Sequence, residues 1–388
     1  MKAVFLAALV ITGAASPALA VTGSAEAGLL AMRKTNLIVL GNWTTGHDVE
    51  GKTFVGGNAS GNSAALGIGN ALQGQDASSR RTLTIVGNNN ANNLNINNGS
   101  NGGSGRVATT PGVAIGGNSG GINFNAAGSA IDIGGNFTGG NVNLVTGQTV
   151  NVGGRANAGF GGTAGATVNA GGNIGGNANG ASFNQNLGTG WNAGFVTGLQ
   201  AEAAQLSADV LALSATLGNL GLASNPSSIT SLGGRAIFNA VDGGNGFALF
   251  NVNAAFFSSF TEVRYNFGST TLPVIINVTG TNITYNLNAI GGNSSGNRQV
   301  IWNFIEATTV TLLRMVNGSV LAPKAALSNN TPIEGSVVAA SFVQGGEVHM
   351  GTYGADAAFL PEPGSWVQMI AGFGLVGAFA RRRRRVIA

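Results

Sequence analysis

The sequence predicts a mainly β chain: a β-solenoid with one long amphipathic α-helix packed along its side. Three observations carry this. First, one phrase is said four times, as Val113-Ala114-Ile115-Gly116-Gly117-Asn118, Ile131-Asp132-Ile133-Gly134-Gly135-Asn136, Val150-Asn151-Val152-Gly153-Gly154-Arg155 and Val168-Asn169-Ala170-Gly171-Gly172-Asn173. The copies begin 18, 19 and 18 residues apart, too short for a helical pair and right for one coil of stacked strands. An apolar-x-apolar strand buries alternate side chains, and the Gly-Gly-Asn corner is expected to supply the positive φ of a tight turn. Second, Gly reaches 65 of 388 residues while charged residues fall to 8%, against a usual ~25%. Third, the period breaks once, at Phe195, where a helical spacing replaces it.

Composition also excludes. Apolar residues make up 44% of the chain and are spread along it, which argues against disorder. Cysteine is absent, so there is neither a disulfide framework nor a thiolate metal site. The formal net charge of +4 suggests an anionic partner, but Lys2 and five consecutive arginines supply six of the eighteen basic residues. In the rest of the chain twelve Lys and Arg face fourteen Asp and Glu, so no basic stripe for nucleic acid is expected.

Residues 1–20 read as a secretory signal peptide: Lys2, then an apolar run, then Ala18-Leu19-Ala20 as a small-x-small cleavage site for signal peptidase after Sec-type export. A solenoid domain is expected over 21–359. It opens with the strand Asn36-Leu37-Ile38-Val39-Leu40-Gly41-Asn42. Next, Gly46-His47-Asp48-Val49-Glu50-Gly51-Lys52-Thr53 matches the P-loop spacing letter for letter. A phosphate cradle needs a helix starting at the Lys, whereas Thr53-Phe54-Val55-Gly56-Gly57-Asn58 reads as strand and corner, so nucleotide binding is not expected. Asp48 and Glu50 could hold a cation with His47, but read better as turn or capping residues. Gly372-x-Gly374-x-x-Gly377 lacks the βαβ context of a dinucleotide site. The G-x-S-x-G matches at Gly117 and Gly292 lack the strand-to-helix elbow of a nucleophilic serine, with only His47 and His349 as bases. No catalytic, cofactor-binding or metal residue is therefore assigned.

The Gly/Ser/Asn-rich stretch 97–105 is expected to leave the stack as a loop. Phe195, Leu199, Ala203, Leu206, Val210, Leu213 and Leu217 then predict a helix over about 197–217, with Thr197 and Gln200 as a capping box and Gly218 as its close. At ~1.5 Å per residue such a helix spans about six coils and would lie along the stack. Strands resume at 247–252, 274–278, 283–287, 300–304 and 310–313. Gly318-Ser319-Val320-Leu321-Ala322 recurs 17 residues later as Gly335-Ser336-Val337-Val338-Ala339, so the stack is expected to continue past the helix. Arg155, where the other copies have Asn, has no explanation at this level.

The tail, 360–388, has its own grammar: Pro361-Glu362-Pro363, then Trp366, a short transmembrane span over 365–380, then Arg381, Arg382, Arg383, Arg384 and Arg385. The arginines would hold one end in the cytoplasm, and the span is short for a ~30 Å bilayer core. This segment resembles the PEP-CTERM sorting signal of Gram-negative bacteria, from which Val367 and Gln368 depart mildly. The resemblance implies an exosortase partner, transient inner-membrane anchoring, and transfer of the body to the cell surface or extracellular matrix. The body is similar to the choice-of-anchor A domain through Asn36–Asn42, Asp48-Val49-Glu50-Gly51-Lys52, Val55-Gly56-Gly57-Asn58, Gly318–Pro323 and Ile333–Ala339. That resemblance implies an adhesive, ice-binding-like solenoid with a flanking helix and no catalytic residues, with extracellular polysaccharide as a candidate partner.

Two other functions compete with an exported adhesin or structural protein. Ice binding needs a regular Thr-rich face, and Thr82-Leu83-Thr84 and Thr309-Val310-Thr311 look isolated. A polysaccharide-cleaving β-helix enzyme needs convergent carboxylates, and only Asp132 falls in the clear coils.

Overall fold

The computed structural model describes residues 21–69, 78–97, 111–125, 128–161, 164–176, 180–221, 225–267, 272–290, 298–351, 353–354 and 360. The signal peptide, residues 98–105 of the expected loop, the Gly292 motif and the sorting tail from residue 361 onward lie outside them. Each copy of the four-fold phrase forms a short strand, and the strands pair in parallel, Val113 to Ile131 to Val150 to Val168. The chain then turns through two further walls before the next coil begins. Alternation does the packing: Ile131, Ile133, Val150, Val152, Val168 and Ala170 are fully buried inside the solenoid.

The Gly-Gly-Asn corner forms as expected, but for a different reason. None of its glycines has positive φ. A Cβ on Gly134 would stand 2.1 Å from the carbonyl oxygen of Gly116, and one on Gly153 1.9 Å from that of Gly134. On the second glycines it would strike the Asn of the preceding coil, 2.6 Å from Asn118 Oδ1 at Gly135 and 2.3 Å from Asn136 Oδ1 at Gly154. Close approach between coils, not turn geometry, selects glycine here.

The asparagines make a ladder. Oδ1 of Asn42 accepts the backbone N–H of Asn58, Asn58 that of Asn88, Asn88 that of Asn118, Asn118 that of Asn136, and Asn136 that of Arg155, all at 2.8–2.9 Å. Arg155 is thereby explained. It donates its backbone N–H in the last bond, and its own side chain, which has no acceptor, ends the ladder. In the following coil the chain caps itself, Ile174 donating its N–H to Gln185 Oε1.

The order of the coils departs from expectation. The stack does not simply continue past the helix; it resumes at the far end and grows back. Ala248–Asn253 pairs with Val274–Thr279, that strand with Val300–Phe304, then Ser319–Asn329 and Val337–Gln344. The last of these pairs with the first strand of the domain, Leu37 to Val337, Ile38 to Val338 and Val39 to Ala339. The seam is sealed by side chains. Trp43 sits opposite Phe342 and donates from Nε1 to Gln344 Oε1 at 3.1 Å, and Gln344 donates to Asp48 O. Asn36 donates to the carbonyl oxygens of Gly335 and His349 and accepts from Gly51 N.

The return is made by helix α2, Ala193–Gly218, longer than the expected span by four residues at its start. The expected capping box is absent: Asn192 is the N-cap without a side-chain capping bond, its amide donating instead to Ile133 O, and Thr197 donates back to Ala193 O. Gly218 is the last helical residue, packed on Ile305, and Asn219 is the cap. The apolar stripe is as predicted, with Leu199, Leu206, Val210, Leu213 and Leu217 buried. Near its C-terminus α2 is held by buried amides, Asn303 donating to Ser214 O and Asn277 to Leu217 O. An earlier helix that the periodicity did not reveal, α1 (Ala25–Lys34), packs beside it. Ser24 caps its start, and Leu29 and Met32 join Ile38, Phe54, Leu321 and Val338 in a core on the outside of the first wall. That wall is therefore buried on both faces where the helices cover it, as the all-buried strands Leu37–Val39 and Thr53–Val55 record.

Inside the solenoid the far half is aromatic. Trp302, Phe238, Tyr285 and Phe257 meet with ring centroids 5.5–6.0 Å apart, and Trp302 Nε1 bonds to Tyr265 OH. At the seam, Trp43→Ala should cost about 3–5 kcal/mol of stability. Urea unfolding would check this, and a loss below about 1 kcal/mol would mean that the seam does not depend on the indole.

Candidate functional site

The second wall carries the most regular exposed surface. Its strands Asn282–Tyr285 and Thr309–Leu312, the later parts of Ser319–Asn329 and Val337–Gln344, then Trp43–Thr45 and Ala59–Gly61 pair in parallel across the seam. Alternate residues face outward in register. One row is Thr284, Thr311, Ser328, Val343, Thr44 and Ser60, and a shorter row beside it is Asn282, Thr309, Ala326 and Ser341. Six rungs at ~4.8 Å make the longer row about 24 Å. The rows themselves hold no charged residue; the nearest on these strands is Lys324, exposed two residues before Ala326, with its ammonium donating to Ile305 O. Val343 is 59% exposed on it.

This corrects one expectation. Thr309-Val310-Thr311 is not isolated; it is flanked by Asn282-Ile283-Thr284 and Ala326-Leu327-Ser328. Sequence reasoning missed the array because the strands paired with Thr309–Leu312 lie 27 and 17 residues away in the chain, and the longer row is completed by Thr44 and Ser60 from the other end. Thr82-Leu83-Thr84 lies on the first wall with both threonines buried.

The apparent motifs go elsewhere. Lys52 of the P-loop match is buried, donates to Ser78 O, and is followed by strand Thr53–Val55, not by a helix. Burial, with Arg80 and Lys34 nearby, lowers its pKa to about 8. Asp48 accepts from Ala65 N and Glu50 from Met350 N, so both acids cap neighbouring coils as expected. No group of residues able to hold a metal ion occurs among the described residues.

A cleft of about 740 Å³ opens between the two helices and the first wall, and it contains Asp132, Glu202 and Asp209. Each is engaged by donors: Asp132 by Arg81 and Asn151, Glu202 by Arg80, and Asp209 by Ser24 N and Gln205. Arg80 also lies over the Phe54 ring. A second acidic group surrounds His349, whose Nδ1 and Nε2 lie 2.7 Å from Glu334 and Glu347.

These geometries accompany a family match. The profile of the family described as "Putative Ice-binding-like adhesive domain" matches residues 28–136 and 112–350. The chain belongs to this family. Together the matched segments run from within the helix Ala25–Lys34 to Met350 and include strands from both sides of the seam. A comparison with curated proteins gives no match. Among solved structures, an ice binding protein from an Antarctic bacterium, Flavobacteriaceae, is similar with a TM-score of 0.28 and 15% identity, over 81% of this chain and 80% of that one. The likeness is too loose for its geometry to be carried over. Among the described residues no helix is long and apolar enough to cross a membrane, and the expected span at 365–380 lies outside them.

The bond to Glu334 is the main cause that pushes the His349 pKa up to about 9; Glu347 and Glu50 add to it and burial opposes. An unfolded histidine titrates near 6.5, so this group's stabilisation is complete below about pH 6.5 and is lost as pH rises through 9. Lys52, lowered from its usual value, acts oppositely and only between about pH 8 and 10.5. The urea midpoint should therefore fall from pH 6.5 to 8, and His349→Gln should flatten that slope. A slope that survives the substitution would assign it to another group.

Proposed function

We propose that this chain is an exported surface adhesin whose contact surface is the pair of uncharged rows on the outer face of the second wall. The observation that carries the reading is the pair of in-register rows without a charge, the longer of which crosses the seam from Val343 to Thr44. Short hydroxyl and methyl side chains on a parallel sheet cannot rearrange, so little entropy is lost when a surface meets them. Membership of the adhesive family supports the same reading. On coated beads, Thr311→Lys with Val343→Lys should reduce attachment to cells or matrix by at least about tenfold, because each contact would then desolvate an ammonium. Stability should change by less than about 0.5 kcal/mol per exposed site. Unchanged attachment would exclude this wall as the contact.

Ice is a second reading, favoured specifically by the stacking of Thr284, Thr311 and Ser328. It requires thermal hysteresis from the purified chain that the same two lysines abolish.

The route to the surface rests on sequence. Export through Ala18 and Ala20, transient anchoring by 365–380, and exosortase handling at Pro361, Glu362, Pro363, Trp366 and the arginines 381–385 fit a domain of this family. Fractionation should find the body outside the inner membrane and shorter at its C-terminus when the exosortase is present. Full-length protein confined to inner membranes of exosortase-positive cells would exclude that route.

A further inference from the structure

A second ordered face lies on the first wall, running from Asp132 at the edge of the helix cleft past the start of the long helix. Strands Thr149–Val152, Thr167–Ala170 and Ser182–Asn184 pair in register. They present Thr149, Thr167 and Ser182 in one outward row and Asn151, Asn169 and Asn184 in another, two residues away. The amides are joined edge to edge. Asn184 donates to Asn169 Oδ1, Asn169 to Asn151 Oδ1 and Asn151 to Asp132 Oδ1, at 2.8–2.9 Å. Arg81 meets the other oxygen of Asp132 at 2.8 Å, so the one charge in the row is neutralised.

Nothing in the fold demands this ladder. The strands are already paired by their backbones, and their inward valines are buried. What the ladder does is fix every amide in one orientation. Asn151 and Asn169 each spend one N–H and one oxygen lone pair on their neighbours and keep one of each for an outside partner, and Asn184, at the end, spends only an N–H. Beside these rows stands Trp191, 36% exposed, its Nε1 donating to Val152 O at 3.0 Å. That carbonyl belongs to the residue following Asn151, so an indole is pinned at the margin of the amide row. Its ring is held by the bond, and about a third of its surface faces water.

We infer that this face binds a strand of neutral polysaccharide. The partner must offer paired donors and acceptors at short, regular intervals, must carry no net charge, and must have an apolar patch for the indole. Sugar rings satisfy all three, through their hydroxyls and the C–H face of the pyranose. An anionic polymer would find no free cation in the rows, since Arg81 is committed to Asp132. A protein partner would ordinarily seek an apolar centre to its interface, which these rows lack. Side chains already fixed by the ladder lose little freedom on binding. Four rungs from Asn184 to Asp132 span about 14 Å, enough for a few rings.

The inference deepens the adhesive reading by naming a ligand class, and it uses a different wall. The test is affinity electrophoresis of the purified full chain through gels holding dextran, mannan or laminarin, with alginate as the anionic comparison. At least one neutral polymer should retard the chain, and both Trp191→Ala and Thr167→Arg should weaken that retardation about tenfold or more. Thr167→Arg changes an outward side chain for which no hydrogen bond is seen, and an unaltered thermal midpoint shows that the variants fold. The inference is overturned if no neutral polymer retards the chain, if alginate alone does, or if both variants are retarded as strongly as the parent. It is equally overturned if Thr167→Arg removes thermal hysteresis while leaving polysaccharide binding intact, which would assign the face to ice. Bead attachment separates the two readings: attachment without retardation sinks this inference alone, and retardation without attachment sinks the adhesive contact on the second wall alone.

Discussion

The pairing of Leu37–Val39 with Val337–Ala339 is the contact on which the molecule depends. Without it there are two short stacks, each ending in an open strand. With it there is one continuous solenoid core, and the two helices have a wall long enough to cover. The contact joins residues about 300 positions apart, so the chain loses entropy before it gains the bond, and the seam is expected to close late in folding. Trp43, Gln344 and Asn36 concentrate directional bonds where a purely apolar joint could slip by a residue.

Much of the fold was legible in the sequence, because a coil repeats its own pattern. The four Gly-Gly-Asn copies, the Gly-Ser-Val pair at 318 and 335, and the heptad-like stripe of α2 each depend on local spacing, and each formed. What local spacing cannot encode is which coil lies against which. The rows of the second wall stayed hidden for that reason, since Val343 and Thr44 are neighbours only after the seam closes. Helix Ala25–Lys34 escaped for another: it has ten residues and buries only Gly28, Leu29 and Met32, too few for a period. Its signals were Ser24 before it and Arg33-Lys34 at its end, which suit a helix dipole.

The abundance of Asn and the scarcity of charge have one cause. An amide can donate to the coil on one side and accept from the coil on the other, so a column of them satisfies itself without end. A column of carboxylates or ammonium groups at ~4.8 Å would repel at every step. Where the columns stop, the chain changes chemistry: Arg155 ends the corner ladder, and Asp132 with Arg81 ends the ladder on the first wall. Glycine is the complement, since the corner asparagines leave no room for a Cβ on the coil that follows.

The seam also decides how the molecule would be held. The polypeptide enters the first coil at Leu37 and leaves the last near Met350, and those two coils lie side by side within the stack, with further coils on either side. A tether attached at either flank therefore grips a crossbar by its middle, not a mast by its foot. Both tips stand free, and the long walls are carried broadside to whatever approaches.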